Sequence, residues 1–217
     1  MKNNSIILSI VAIIVLFASL YGVYKLVGGA PDETLIKKIR EDRPTQRTLW
    51  NKNAKHTLAV FSDHQCPACK VYHEYLAAFE DVKNPNNAIT KNVAFTFRYF
   101  PLYQIHQHAF QLAYAAEAAA RQGKFAEVTA RFFADQGTFE TMKDAKSYVA
   151  KVAKDLKLDE VKFQKDMNDG ALQSAVQDDL ALGEKLGVNA TPTFYLDGEK
   201  LESMSPADLA LVLKNLK

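Results

Sequence analysis

The sequence predicts an α/β domain that is interrupted by a helical insertion and preceded by an apolar N-terminal helix. Three observations support this fold class: two short strand-like runs, helical patterns throughout about residues 104–186, and an uncharged apolar segment at the N-terminus. Of the 217 residues, 48% are hydrophobic and 24% are charged, which is a globular composition with ample side chains for a core. This length favours one domain, or one domain with an insertion.

The N-terminal segment is long and apolar enough to span a membrane. No charged side chain lies between Lys2 and Lys25, and residues 6–24 are almost continuously apolar. As a helix this run would extend roughly 28 Å, close to the thickness of the hydrocarbon core of a bilayer. We therefore expect a single uncleaved membrane anchor over residues 1–27, followed by a linker and a short juxtamembrane helix over residues 28–47. A cleaved signal peptide and a buried helix are the alternatives.

The first half of the following domain has the pattern of a strand, a helix and a second strand. Residues 58–61 are entirely apolar and too few for a helix, which predicts a buried strand. A helix is predicted from Pro67 onward, because large apolar side chains recur there at positions i, i+3, i+4 and i+7. Proline also suits the first turn of a helix. Residues 93–100 alternate between two faces in the manner of a strand.

The second half is predicted to be helical before it ends in a hairpin and a final helix. The helical insertion covers about residues 104–186, and Gly187 provides a stop signal. Asp197-Gly198 separates two short strand-like runs, which is a strong hairpin signal. Ser205 as N-cap and Pro206 in the first turn predict the start of the last helix.

The two cysteines of the chain lie in one tetrapeptide, Cys66-Pro67-Ala68-Cys69, between the first predicted strand and its helix. Two cysteines cannot form a disulfide framework for a chain of this size, so we interpret them as a candidate site. The N–H groups and positive dipole end at the start of a helix stabilise a thiolate, which favours Cys66 as the nucleophile. Cys69 lies one turn further along and is placed to resolve a mixed disulfide.

Three other interpretations of the cysteine pair are open at this point. Cys66 and Cys69 could bind zinc with His64 and His73, although structural zinc sites usually take ligands from two separated knuckles. Cys66 could act with His106 as a cysteine hydrolase, which leaves Cys69 unexplained. The pair could also be two structural cysteines that are neighbours by chance.

Two further segments connect the cysteine motif with a known family. Residues 61–70 read FSDHQCPACK, and residues 190–194 read ATPTF. Together with Phe100-Pro101-Leu102 and His106, they resemble the DsbA-like thiol–disulfide oxidoreductases. The similarity extends from about residue 57 to the C-terminus. It implies a thioredoxin-like fold with an inserted all-helical domain, occupying residues 48–217.

The resemblance also implies the second part of the site. The Thr191–Pro192 peptide bond is expected to be cis, and its loop is expected to lie beside Cys66 and Cys69. Thr191 and Pro192 would then bind an extended substrate chain. No cofactor and no metal ion are expected.

The sequence departs from the family pattern at two positions that tune the cysteines. Val60 stands where the family usually has a glutamate, so we expect slower or water-assisted resolution. Ala68, which follows Pro67, stands where strongly oxidising members have a histidine, so we expect a milder oxidant. His64 is a further tuning candidate, although a surface-loop histidine is the favoured interpretation. His73 is expected to be a surface or packing residue rather than a proton donor.

These observations predict a membrane-tethered thiol–disulfide oxidoreductase that forms disulfides in exported proteins with free thiols. Basic residues after the apolar run favour a cytoplasmic domain, but long domains cross membranes largely regardless of charge. Disulfide chemistry favours the extracytoplasmic side, periplasmic or outer, of the cell membrane. The resemblance implies reoxidation by a membrane quinone-linked partner, either DsbB-like or similar to vitamin K epoxide reductase.

Other functions use the same residues in different ways. A disulfide reductase or isomerase would use the cysteine pair with another direction of electron flow, which depends on partner and compartment. A tethered metal-binding or chaperone-like module would use Cys66 and Cys69 as ligands. Nucleic-acid binding is disfavoured, because beyond the first 30 residues the basic and acidic side chains balance.

Overall fold

The computed structural model describes residues 10, 12–23, 33–41, 45, 47–81, 83–84, 86–139 and 141–216. The chain divides into two compact units, Met1–Thr34 and Leu35–Lys217. In the first unit, residues 12–23 form helix α1, and its large apolar side chains are exposed. Among the residues that the structure describes, no helix has the length and apolar character needed to cross a bilayer. Much of the anchor predicted for residues 1–27 lies outside the described residues.

Helix α2 (Glu33–Arg40) matches the short helix predicted within residues 28–47. Ile39, near its end, is buried. Arg98 on the sheet donates hydrogen bonds to main-chain oxygens at the end of this helix, including that of Ile39 at 2.7 Å. The end of α2 is therefore fixed to the sheet by a buried guanidinium group.

A four-stranded sheet with strand order β2-β1-β3-β4 forms the centre of the second unit. Strand β1 (His56–Ser62) pairs in parallel with β2 (Val93–Tyr99) and antiparallel with β3 (Thr193–Leu196). The short strand β4 (Glu199–Lys200) completes the predicted hairpin with β3. The first two strands predicted from the sequence, β1 and β2, are confirmed, and each is buried over most or all of its length.

Helices cover the sheet and form the insertion between β2 and β3. Helix α3 (Pro67–Ala77) follows β1, and α11 (Pro206–Lys214) closes the chain with the predicted Ser205 cap. A 3-10 turn (Ala78–Glu80) and the short helix α4 (Ile89–Asn92) lead into β2. The insertion consists of α5 (Ala109–Ala120), α6 (Phe125–Ala134), α7 (Gln136–Phe139), α8 (Lys146–Asp155), α9 (Glu160–Met167) and α10 (Gly170–Lys185). The predicted helical insertion is thus confirmed.

A buried ion network joins the insertion to the sheet. Arg47, in the segment before β1, pairs with Asp179 of α10 and with Glu117 of α5. Arg98 of β2 lies 3.6 Å from the second oxygen of Asp179. All four side chains are at most 3% exposed. Two positive and two negative charges therefore balance inside the domain, which is the condition under which buried charges are tolerated.

Candidate active site

Cys66 and Cys69 lie at the start of helix α3, which follows the central strand β1. Cys66 is the N-cap residue of α3, with extended backbone angles, and Pro67 occupies the first turn. Cys69 follows one turn later inside the helix. Both are free cysteines and both are buried, with Cys66 7% and Cys69 2% exposed. Pro67 and Ala68, between them, are exposed at the surface.

The pKa values of the two thiols move in opposite directions. Hydrogen bonding from Cys69 to the Cys66 sulfur is the largest cause that lowers the pKa of Cys66, which falls to about 6. The side chain of Thr191 and the backbone N–H groups of Ala68 and Cys69 lower it further, against the effect of burial. Burial raises the pKa of Cys69 well above its usual range, and its bond to Cys66 adds to this effect. Cys66 is therefore the thiolate and Cys69 the thiol near neutral pH.

The Thr191–Pro192 loop lies directly beside Cys66. Its peptide bond is cis, as the resemblance implies. In the thiol form, Cys66 Sγ donates a hydrogen bond of 3.2 Å to the carbonyl oxygen of Thr191. The structure thus brings together the four residues, Cys66, Cys69, Thr191 and Pro192, that the sequence assigned to one site.

Two open hollows flank this loop. One, of about 520 Å³, is lined by Ala68, Tyr72 and residues 189–194 and 200–204. The other, of about 500 Å³, is lined by residues 100–105, by part of α10 and by residues 188–191. The exposed apolar side chains of Tyr103 and Ile105 line this second hollow. An extended chain that pairs with the loop could therefore place side chains on either side of it.

His64 is not the surface-loop histidine that the sequence favoured. Its side chain is 1% exposed and its ring stacks on Phe97, with 5.1 Å between ring centroids. Its Nε2 lies 3.3 Å from the Thr129 hydroxyl of helix α6. Burial lowers the pKa of His64 to about 3, so the ring is neutral at physiological pH. Prediction failed here because a helix more than sixty residues away covers the loop.

His73 is partly buried and packs on the ring of Phe133 at 4.7 Å. This confirms the packing position predicted for it. Burial lowers the pKa of His73 to about 4. Over the described ranges, no group of three or more His, Cys, Asp or Glu side chains is placed to hold a metal ion.

Three polar residues that the sequence analysis missed, Asp63, Gln65 and Gln136, hold the cysteine loop. Asp63 accepts hydrogen bonds from the backbone N–H of Gln65 at 2.8 Å and of Leu102 at 2.7 Å. The second oxygen of Asp63 also lies 2.9 Å from Nδ1 of His106. Asp63 and Gln65 form a local turn that sequence could have signalled, since aspartate often bonds to the backbone two residues on.

The insertion contributes further hydrogen bonds to the same loop. Gln136 Nε2 donates to the carbonyl oxygens of His64 at 2.8 Å and Cys66 at 3.0 Å. Gln65 Oε1 accepts from the backbone N–H of His108 at 2.6 Å. No sequence signal identifies Gln136, because its role depends on a contact across seventy residues. The insertion therefore fixes the backbone that carries the nucleophile.

The sequence model of the thioredoxin family matches residues 42–215, which is most of the chain. The chain belongs to the thioredoxin family. Among solved structures, this thioredoxin-family chain is similar to a thioredoxin-like oxidoreductase from Silicibacter pomeroyi, with 23% identity and a TM-score of 0.63. The match covers 84% of this chain and 96% of that one. A variant of α-DsbA1 from Wolbachia pipientis is similar at 16% identity and a TM-score of 0.67, over 83% and 95% of the two chains.

The resemblance predicted from the cysteine and Thr-Pro segments is confirmed. The chain has the thioredoxin fold with a helical insertion, its structural neighbours include DsbA proteins, and it carries a Cys-x-x-Cys pair at Cys66 and Cys69.

A curated relative shares this thioredoxin-family domain within a much longer protein. Na⁺/H⁺ antiporter NhaA 1 from Mycobacterium sp. strain KMS is 28% identical over 186 residues. The match covers 85% of this chain but only 28% of the length of that relative. The similarity therefore concerns one part of the antiporter protein.

Proposed function

We propose that this DsbA-like thiol–disulfide oxidoreductase oxidises free thiols in exported proteins while it is tethered to the extracytoplasmic face of the cell membrane. The observation that carries the proposal is the opposed pKa shift of Cys66 and Cys69 at the start of helix α3. A thiol of low pKa is a good leaving group, and its stable thiolate favours the reduced form. Its disulfide is correspondingly ready to accept electrons.

The reaction starts from the oxidised protein. A substrate thiolate attacks Cys66 Sγ, the Cys66–Cys69 bond breaks, and Cys69 leaves as a thiolate that takes up a proton. A second substrate thiolate then attacks the substrate sulfur of the mixed disulfide. The substrate gains a disulfide, Cys66 leaves as a stabilised thiolate, and two electrons remain on the protein. The Thr191–Pro192 loop would hold the substrate chain beside Cys66 during both steps.

Reoxidation and tethering complete the proposal. A membrane quinone-linked partner, DsbB-like or similar to vitamin K epoxide reductase, would remove the two electrons. Tethering is supported by the uncharged run of residues 6–24 and by the exposed apolar side chains of α1. Washing membranes with carbonate should leave the full-length protein in the pellet. Release of a shorter soluble protein would contradict the anchor.

The direction of electron flow is tested by trapping thiols in cells with an alkylating reagent that adds mass. We expect Cys66 and Cys69 to be mostly oxidised, because an oxidase accumulates in its disulfide form. A mostly reduced pair would instead indicate a reductase or isomerase. Stoichiometric metal in the purified protein would favour the metal-binding module.

A further inference from the structure

The thiol of Cys69 must lose its proton whenever it resolves a mixed disulfide on Cys66. Its side chain is 2% exposed, and burial raises its pKa well above the usual range. Bulk water therefore does not reach the sulfur, and the free thiolate is costly. The structure must supply a route for the proton. The need for such a route rests on the exchange chemistry proposed above.

A small cavity lies against Cys69 on the side of the sheet. Its volume is about 10 Å³, and its polar lining groups come from Ser62, Cys69, Tyr72 and His73. A cavity needs roughly 10–15 Å³ of this kind of volume, together with polar partners, to hold one water molecule. Val60 lines the same cavity, and none of the described residues that line it carries a carboxylate. The position that carries an acid in the resembling family is thus apolar here.

Ser62 supplies a side-chain hydrogen bond to the Cys69 sulfur. Its side chain lies at the end of β1 and is buried. Burial and the bond to Cys66 raise the pKa of Cys69, whereas the backbone N–H of Asp63 and the Ser62 hydroxyl lower it. The hydroxyl therefore favours the thiolate form of Cys69, which is the form that attacks. A hydroxyl can also accept and donate a proton at the same time.

His73 connects the cavity with solvent. It lies four residues after Cys69, so both side chains project from the same face of α3. Its ring lines the cavity while the residue remains partly exposed. Over the described ranges, neither ring nitrogen of His73 has a hydrogen-bond partner in the protein. Because its pKa is about 4, the neutral ring accepts a proton only transiently and releases it to solvent.

Other titratable groups near the cysteine loop form contacts outside the cavity. Both carboxylate oxygens of Asp63 accept hydrogen bonds, from Gln65, Leu102 and His106. His64 does not line the cavity and contacts Thr129. His73 is therefore the cavity-lining base through which a proton can leave.

We propose that one water molecule in this cavity, held by Ser62, passes the proton of Cys69 to His73 and so replaces the acid that is absent at Val60. As Cys69 Sγ bonds to Cys66 Sγ, the bond from Cys66 to the bound thiol breaks and that thiol leaves with its electron pair. The proton of Cys69 moves through the water to a ring nitrogen of His73, and from His73 to solvent. Ser62 and His73 act through the water as positioning residues for this step.

The test follows resolution alone in the full-length protein. Reduced protein is mixed with the aryl disulfide of thionitrobenzoate, which reacts first at Cys66 and is then displaced by Cys69. The first release reports attack by Cys66, and the second reports resolution. We expect His73→Phe, which keeps the ring packing on Phe133, to slow the second release about 10-fold or more and to leave the first unchanged. Loss of general acid–base catalysis typically costs about 10²–10⁴-fold, and a water-mediated route lies towards the lower end.

Four further variants separate the loss of proton transfer from a change in structure. Ser62→Ala should slow the second release in the same way, whereas Tyr75→Phe, an exposed residue of the same helix, should match the wild type. Free imidazole should restore part of the rate in His73→Ala, and Val60→Glu should restore it in His73→Phe. Rescue by either route supports the relay, because packing defects do not respond to an added base.

The proposal is overturned if His73→Phe resolves at the wild-type rate. It is also overturned if the slowed rate of the His73 variants responds to neither imidazole nor Val60→Glu. Imidazole rescue is measured in a chain without a new buried carboxyl, so the test does not depend on the folding of Val60→Glu. These rates do not depend on the direction of electron flow in cells. A protein that proves to be a reductase would therefore leave this inference standing.

Discussion

The sulfur of Cys66 lies 3.2 Å from the carbonyl oxygen of Thr191, although 125 residues separate the two in the chain. This contact joins the start of α3, just after β1, to the loop before β3, and the strands β1 and β3 pair antiparallel in the sheet. The whole helical insertion lies between them in sequence. The nucleophile and the candidate substrate loop are therefore positioned by the sheet, and the insertion covers the loop that carries Cys66.

The two cysteines should behave differently when they are replaced. Cys69→Ser should accumulate mixed disulfides with client proteins, because the intermediate on Cys66 loses its internal attacker. Cys66→Ser should trap none, since the remaining Cys69 is buried and has a raised pKa. Non-reducing gels of cell extracts report both results. Equal trapping by the two variants would contradict the assigned roles.

Alkylation of Cys66 should depend on pH in the range where its thiolate forms. The pKa is about 6, so the rate should rise through this value and level off above about pH 7. The rate is measured in the wild type and in Cys69→Ala, with Cys66→Ala as the control for reaction at Cys69. Removing Cys69 also removes the largest cause that lowers the pKa, so the midpoint in this variant should lie above 6. A midpoint near about 8.5, the value of a free cysteine, would contradict stabilisation by Thr191 and the helix N-terminus.

The stability of the reduced protein should also depend on pH through Cys66. Its folded pKa of about 6 lies below the unfolded value of about 8.5, so the unfolded state binds more protons between these values. The contribution of Cys66 is present in full above the unfolded pKa and is lost as the pH falls through about 6. Urea unfolding of the reduced protein should show a rise in stability over this window that Cys66→Ser lacks. Equal slopes in the two proteins would contradict the lowered pKa.

His64 should contribute to acid unfolding. Burial lowers its folded pKa to about 3, from an ordinary value of 6.5. Between these values the unfolded chain binds a proton that the native protein does not, so stability falls as the pH decreases from 6.5. His64→Phe keeps an aromatic ring on Phe97. Between about pH 7 and about pH 4, its free energy of unfolding should fall by on the order of 2–3 kcal/mol less than that of the wild type. An identical loss of stability in the variant and the wild type would contradict the burial of His64.

The buried ion network should be sensitive to the loss of one charge. Asp179→Asn leaves Arg47 and Arg98 with Glu117 as their remaining buried anion. Breaking a buried pair in this way typically costs about 3–5 kcal/mol. The matched control is Asp178→Asn, because Asp178 is the exposed neighbour on the same helix and its loss should cost about 0.5 kcal/mol or less. Urea unfolding that gives equal costs for both variants would contradict the network.

The sheet, the cysteine helix and the hairpin could be predicted from the sequence because their signals are local. Strands β1 and β2 are short apolar or alternating runs, and Pro67 and Asp197-Gly198 mark a helix start and a turn. The cis bond at Thr191–Pro192 was implied by resemblance and could not have come from the local sequence, where Thr-Pro is unremarkable.

The surroundings of the site could not be predicted, because they depend on contacts between distant segments. His64 is polar and lies in a loop, which favours exposure, yet Phe97 and helix α6 enclose it. Gln136 and Arg47 carry no pattern that distinguishes them from surface residues. Their burial follows from where the insertion packs on the sheet, which is a property of the folded chain.

Equilibration of the purified protein with defined ratios of reduced and oxidised glutathione measures how strongly the Cys66–Cys69 pair oxidises other thiols. A Cys66 pKa of about 6 lies between the values of about 3.5 and about 7 for a strong oxidant and for thioredoxin. The account therefore predicts a reduction potential between about −120 mV and about −270 mV, with the Cys66–Cys69 disulfide as the oxidised species. A potential at or below about −270 mV would contradict an oxidising function.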